Sequence, residues 1–99
     1  MSLQAKILNL LSGIDDPGIR IEISRTIYFL FNIYKNNMAP EESIKNDLME
    51  ICLLIVQTKE PTLSPEEQKK KAEKLAEDIM NAFKLETLTR RKLLQYGGI

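Results

Sequence analysis

Asp15-Asp16-Pro17-Gly18-Ile19-Arg20-Ile21-Glu22-Ile23-Ser24-Arg25-Thr26-Ile27-Tyr28-Phe29-Leu30-Phe31-Asn32-Ile33-Tyr34-Lys35 is the stretch on which the fold turns. Either aspartate can accept from the free backbone N–H groups of a first helical turn. Pro17 at the first helical position forfeits no hydrogen bond, because that N–H has no intrahelical partner. At about 100° per residue, Ile19, Ile23, Ile27, Leu30 and Tyr34 form one stripe. Ile21, Tyr28, Phe29, Phe31 and Ile33 spread around much of the remainder, so the segment is apolar nearly all round. It is predicted as the central helix of the core, 17–35, closed by Asn36-Asn37. Its β-branched residues admit a strand over residues 18–23 as the alternative. The run is too long and too free of turn residues for a hairpin.

Outward from this segment the same logic applies. Ser2 is a candidate N-cap for a helix over 3–11, where Leu3, Ile7, Leu10 and Leu11 share a face and Ser12-Gly13 ends it. Ala39-Pro40-Glu41-Glu42 opens a helix over 40–59, with proline near its first position and two acids where the macrodipole favours negative charge. Ile44, Leu48, Ile51, Cys52 and Ile55 form its face, and Glu60-Pro61 ends it because the residue before a proline leaves the α region. Ser64-Pro65-Glu66-Glu67 has the capping-box pattern and starts a one-sided helix over 65–85, with Ala72, Leu75, Ala76, Ile79, Met80 and Phe83 at helical spacing. A fifth segment, 88–96, takes Thr87 or Thr89 as cap and stops at Gly97-Gly98. The expected fold is all-α: one domain over 1–99, a small bundle of four or five helices, antiparallel neighbours joined by short loops.

Composition narrows the chemistry. The chain has 99 residues, 43% hydrophobic and 28% charged, the balance of an ordinary globular protein. Lys plus Arg and Asp plus Glu both number 14, so no global field draws in a nucleic acid, and nothing opposes association between copies. Histidine is absent, which removes the commonest general base, Ser-His and Cys-His nucleophile activation and most zinc sites. The single cysteine, Cys52, sits among apolar neighbours with no cation beside it and reads as a buried structural thiol. Neither a signal peptide nor a membrane span is expected, and the expected location is cytoplasmic.

The acidic pairs Asp15-Asp16, Glu41-Glu42 and Glu66-Glu67 lie at predicted helix N-termini, where capping and dipole complementarity account for them; Glu77-Asp78 is the fourth. No glycine-rich phosphate loop, EF-hand spacing or Glu-x-x-His motif occurs. No catalytic residue, metal or cofactor is expected, and the chain is read as a non-enzyme.

Two basic clusters remain. Lys69-Lys70-Lys71 with Lys74 is interleaved with acids and reads as a solvated helix face. Arg90-Arg91-Lys92 has no acid within three residues on either side. The run Thr87-Leu88-Thr89-Arg90-Arg91-Lys92-Leu93-Leu94-Gln95-Tyr96-Gly97 resembles the recognition-helix ends of Fis-type helix-turn-helix proteins in its Thr-Leu start, basic middle and Tyr-Gly stop. The resemblance implies phosphate contacts by Arg90, Arg91 and Lys92. The pattern departs from that family in a spacing one residue longer from Leu88 to Tyr96 and in lacking a preceding glycine-containing turn. It covers about a tenth of the chain and does not assign the family. The simpler reading is that cations near a helix C-terminus complement its dipole.

The primary functional expectation is a non-catalytic protein-interaction module, self-associating as a homo-oligomer through Tyr28, Phe29, Phe31 and Ile33, which exceed what one stripe buries in so small a domain. The alternative is a small nucleic-acid-binding regulator that uses Arg90, Arg91 and Lys92.

Overall fold

The computed structural model describes the backbone of residues 2–96 and the side chains of residues 2–90. The helices are α1 (Leu3–Leu11), α2 (Pro17–Lys35), α3 (Glu41–Lys59) and α4 (Pro65–Tyr96), and no strand occurs among the described residues. Three loops of five residues each, 12–16, 36–40 and 60–64, connect them.

Local chemistry sets most of the boundaries. Ser2 Oγ accepts from the Ala5 N–H at 3.1 Å and starts α1. Gly13, at φ +86°, turns the chain after α1 in the left-handed region that a side chain disfavours. Arg20 then closes this loop from α2: its Nη1 donates to the Leu11 carbonyl at 2.8 Å and to the Ile14 carbonyl at 3.0 Å. The guanidinium thus adds a second donor to the Leu11 carbonyl at the helix end, which also accepts from the Ile14 N–H at 3.1 Å.

Asp16 Oδ1 caps α2, accepting from Gly18 N–H at 2.8 Å and Ile19 N–H at 3.3 Å, with Pro17 at the first position. The β-branched run after it is helical because Ile23 and Ile27 are completely buried there. Burial of one such side chain stabilises by about 1.5–3 kcal/mol, against propensity costs of about 0.7 kcal/mol or less per residue. At the other end Asn37 takes a left-handed conformation (φ 52°), the Met38 N–H donates to the Ile33 carbonyl at 3.0 Å, and the Asn37 N–H donates to the Tyr34 carbonyl at 3.2 Å. This is a Schellman closure with asparagine in the place glycine usually takes.

Pro40 is the N-cap of α3 and contributes no side-chain cap, so Glu41 and Glu42 in the first turn face the positive end of the dipole. Ser64 Oγ accepts from the Glu67 N–H at 3.2 Å to start α4. Gln68, buried despite its amide, donates from Nε2 to the Glu60 carbonyl at 3.2 Å and ties the α3–α4 loop down.

The last two predicted segments, 65–85 and 88–96, are one helix. Neither Thr87 nor Thr89 acts as an N-cap. Thr87 Oγ1 donates to the Phe83 carbonyl at 2.9 Å and Thr89 Oγ1 to the Leu85 carbonyl at 2.9 Å. These are the bonds a threonine makes one turn back inside a continuing helix. With no glycine or proline between Phe83 and Tyr96, nothing interrupts the ladder. The predicted Gly97-Gly98 stop lies outside the described residues.

α3 and α4 form the most extensive helix pair; α2 packs chiefly on α3, and α1 lies against α4 and α2. Phe83 of α4 is completely buried at the centre, with its ring 5.3 Å from that of Phe31 and 5.9 Å from that of Tyr34. Ala72 and Ala76 let α4 approach its neighbours closely, and Ile79 and Met80 fill the space between them. Lys84 Nζ meets Glu41 Oε1 at 2.9 Å, which places residue 84 beside the start of α3. The twelve residues of α4 that follow carry it about 18 Å farther, which accounts for the 51 Å long axis of the molecule.

Candidate functional site

On α2 the core takes Ile23, Ile27, Leu30 and Phe31, so the residues on the far side of the helix are turned away from α3 and α4. Three large apolar side chains are thereby left outside: Ile21 is 55% exposed, Tyr28 41% and Phe29 64%. Ile21 and Tyr28 are seven residues apart and lie one above the other, with Arg25 between them.

Of the residues predicted to form an interaction surface, Tyr28 and Phe29 are exposed and Ile33 is half-buried against the core. Phe31 is not at the surface. It is 4% exposed and packs against Phe83 with the rings tilted by 52°, because its position two residues beyond Phe29 rotates it about 200° toward α4. Ile21 takes its place in the exposed set.

Beside Phe29 runs a groove of about 360 Å³ between α2 and α3, floored by Leu30, Ile51 and Leu54 and flanked by Thr26, Glu22, Asp47 and Glu50. Its charged residues are all acidic. None of the three carboxylates has an ion-pair partner among the described residues. Helical spacing is the signal that places them together: Glu22 lies seven residues before Phe29, and Asp47 seven before Leu54.

Arg90, the first of the C-terminal cations, is held by its own chain. Its Cζ lies 5.3 Å from the centre of the Phe31 ring and its Nε lies 3.8 Å from Glu86 Oε1. Lys35 Nζ approaches the same ring at 5.7 Å. The Arg91 and Lys92 side chains lie outside the described residues. Leu85 (62% exposed) and Leu88 (50%) face away from the core on the same part of α4, a face that follows from their angular distance from Phe83.

Several other titratable groups have structural roles. Cys52 is fully buried, and burial, with the Asp78 carboxylate adding to it, pushes its thiol up from 9.0 to about 12. Asp16 caps α2, Glu41 pairs with Lys84, and Glu77 lies 3.9 Å from Lys45. The hydrogen bond and the charge of Glu41 raise the Lys84 ammonium above its ordinary value. A hollow of about 410 Å³ beside that pair is lined by Tyr34, Lys35, Ala39, Thr87 and Leu88 among others. Among the described residues no three metal-ligating side chains converge, and no helix is long and apolar enough to cross a membrane. Compared with protein-family models, curated proteins and solved structures, the chain matches none.

Proposed function

We propose that the chain is a non-catalytic helical interaction module that associates with a second copy of itself through the outward face of α2. Phe29 carries this reading. It is 64% exposed at the α3 side of that face, with Tyr28 and Ile21 exposed about 80–100° farther round the helix, in a bundle that has already filled its core with Phe31 and Phe83. An aromatic side chain brings about 150–250 Å² of surface, and covering it is worth about 25 cal/mol per Å² before association costs. The formal net charge of zero adds no repulsion between copies.

Sedimentation velocity over a concentration series tests the reading. Wild type is expected to form a dimer or larger species that Phe29→Ser with Tyr28→Ser disperses. A wild-type chain that stays monomeric at high micromolar concentration sinks it. The nucleic-acid reading stands second, because it rests on the Arg90-Arg91-Lys92 run and Arg90 is already engaged by Phe31 and Glu86. A duplex added to the same series, forming a complex that salt dissolves, would promote it over self-association.

A further inference from the structure

The groove beside Phe29 is apolar at its floor and carries Glu22, Asp47 and Glu50 with no cation among its lining residues. Some exposed carboxylates elsewhere find lysines, Glu41 with Lys84, Glu60 with Lys71 and Glu77 with Lys45, while Glu22, Asp47 and Glu50 have no ion-pair partner among the described residues. A groove with an apolar floor, an exposed aromatic at its side and only acidic charge fits a basic, partly apolar helix. The same chain contains one. From Thr87 onward the sequence has three cations, no Asp or Glu, and the apolar residues Leu88, Leu93, Leu94 and Tyr96.

A chain cannot fill its own groove this way. Residue 84 already stands beside Glu41 at the start of α3, and α4 runs on as helix to Tyr96. Asp47 and Glu50 lie farther along α3 in the opposite direction, so the end of α4 is carried away from them. We infer that the acidic groove between α2 and α3 receives the basic C-terminal end of α4 from a second copy. This rests on the self-association proposed above and names the segment that meets Phe29. The contact is heterologous, tail to groove, so every copy offers one of each.

The experiment is a charge exchange read by sedimentation velocity. One variant reverses the groove (Glu22→Lys with Glu50→Lys), a second reverses the tail (Arg91→Glu with Lys92→Glu), and a third reverses two distant exposed acids on α4 (Glu66→Lys with Glu73→Lys). Arg90 is left in place because it is seated on Phe31. The groove and tail variants, each alone, are expected to associate about tenfold more weakly than wild type, and their equimolar mixture to recover. The distant variant should associate as wild type does, and the same distant reversal added to the tail variant, which returns its net charge to zero but leaves its tail acidic, should not restore association, which separates docking from an effect of net charge. Far-ultraviolet circular dichroism checks that each is folded; where a double variant is not, Glu50→Lys against Lys92→Glu gives the same comparison. If the groove and tail variants self-associate as strongly as wild type, or their mixture stays as weak as its parts, the tail does not occupy the groove, and self-association through α2 survives by another contact. A monomeric wild type instead removes the α2 reading itself, and this inference with it.

Discussion

The guanidinium carbon of Arg90 lies 5.3 Å from the centre of the Phe31 ring, so a residue six places from the end of α4 is fastened to the side of the core that α2 provides. Glu86, one turn back, lies with its Oε1 3.8 Å from the Nε of the same head group. A cation on an aromatic face contributes about 0.5–1 kcal/mol where it is partly exposed. Arg90→Ala is expected to lower stability by about that amount and to lose helicity at the C-terminal end of α4. Amide hydrogen exchange over residues 85–90 reads the loss; protection there equal to wild type would show that Arg90 does not hold the helix end.

Phe83 and Phe29 should respond in opposite ways to truncation. Phe83→Ala leaves a cavity between Phe31 and Tyr34 and is expected to cost about 3–5 kcal/mol, enough to unfold much of a marginally stable domain. Phe29→Ala is expected to change monomer stability by about 0.5 kcal/mol or less. Urea unfolding at concentrations low enough to hold the chain monomeric compares them. Equal destabilisation by both would contradict the burial difference.

Arg20 ties α2 to the first loop through the Ile14 carbonyl and through the Leu11 carbonyl, which also accepts from the Ile14 N–H. Arg20→Met keeps much of the apolar stem and removes both hydrogen bonds, to Leu11 and Ile14. The loss is expected to be about 2 kcal/mol, as for hydrogen bonds made by a charged donor, and to appear as faster exchange of the α1 amides.

Two left-handed residues make a matched pair. Gly13→Ala meets no atom within 4 Å, so its cost, about 1–2 kcal/mol, is backbone strain alone. Asn37→Gly relieves the same kind of strain at φ 52° and is expected to stabilise by a few tenths of a kcal/mol, gaining less because asparagine tolerates the region. Thermal melts of the two variants should move in opposite directions.

Burial of Cys52 predicts a loss of stability in alkali. Its folded thiol titrates at about 12, against 9.0 for the ordinary thiol. Between those values the unfolded chain releases the proton and the folded chain keeps it. Stability contributed by the neutral thiol is therefore full below pH 9.0 and falls as pH rises toward about 12. Cys52→Ala should be less stable at neutral pH because it leaves a small cavity, yet show a shallower alkaline decline than wild type, by up to about 1.4 kcal/mol per pH unit. Parallel declines would show that the thiol does not ionise on unfolding.

The helix starts were legible in the sequence because caps act over three or four residues. Ser2, Asp16 and Ser64 each accept a backbone N–H where a helix begins, and none of these bonds depends on distant chain. The bounds of α1 and α2 follow from such local signals, and Pro61 closes α3 for a similarly local reason. Thr87 and Thr89 were ambiguous by the same standard. A threonine hydroxyl serves as a cap or bonds one turn back inside a helix, and here Phe83 packed against Phe31, with Arg90 seated over that ring, favours the continuous helix.

Capping residues and periodicity by themselves pointed to an all-helical fold, to the starts of four helices and to the residues of an apolar stripe, but they also placed a fifth start at 88 that the structure does not have. Only the tertiary structure decided which of two aromatics two places apart is inside. Phe31 is buried on Phe83, while Phe29 stands in solvent beside three carboxylates drawn from two helices. A helix apolar nearly all round has no inside of its own. The positions of α3 and α4 around α2 assign one, because burial is a relation between elements distant in sequence, whereas capping and periodicity are properties of a single turn.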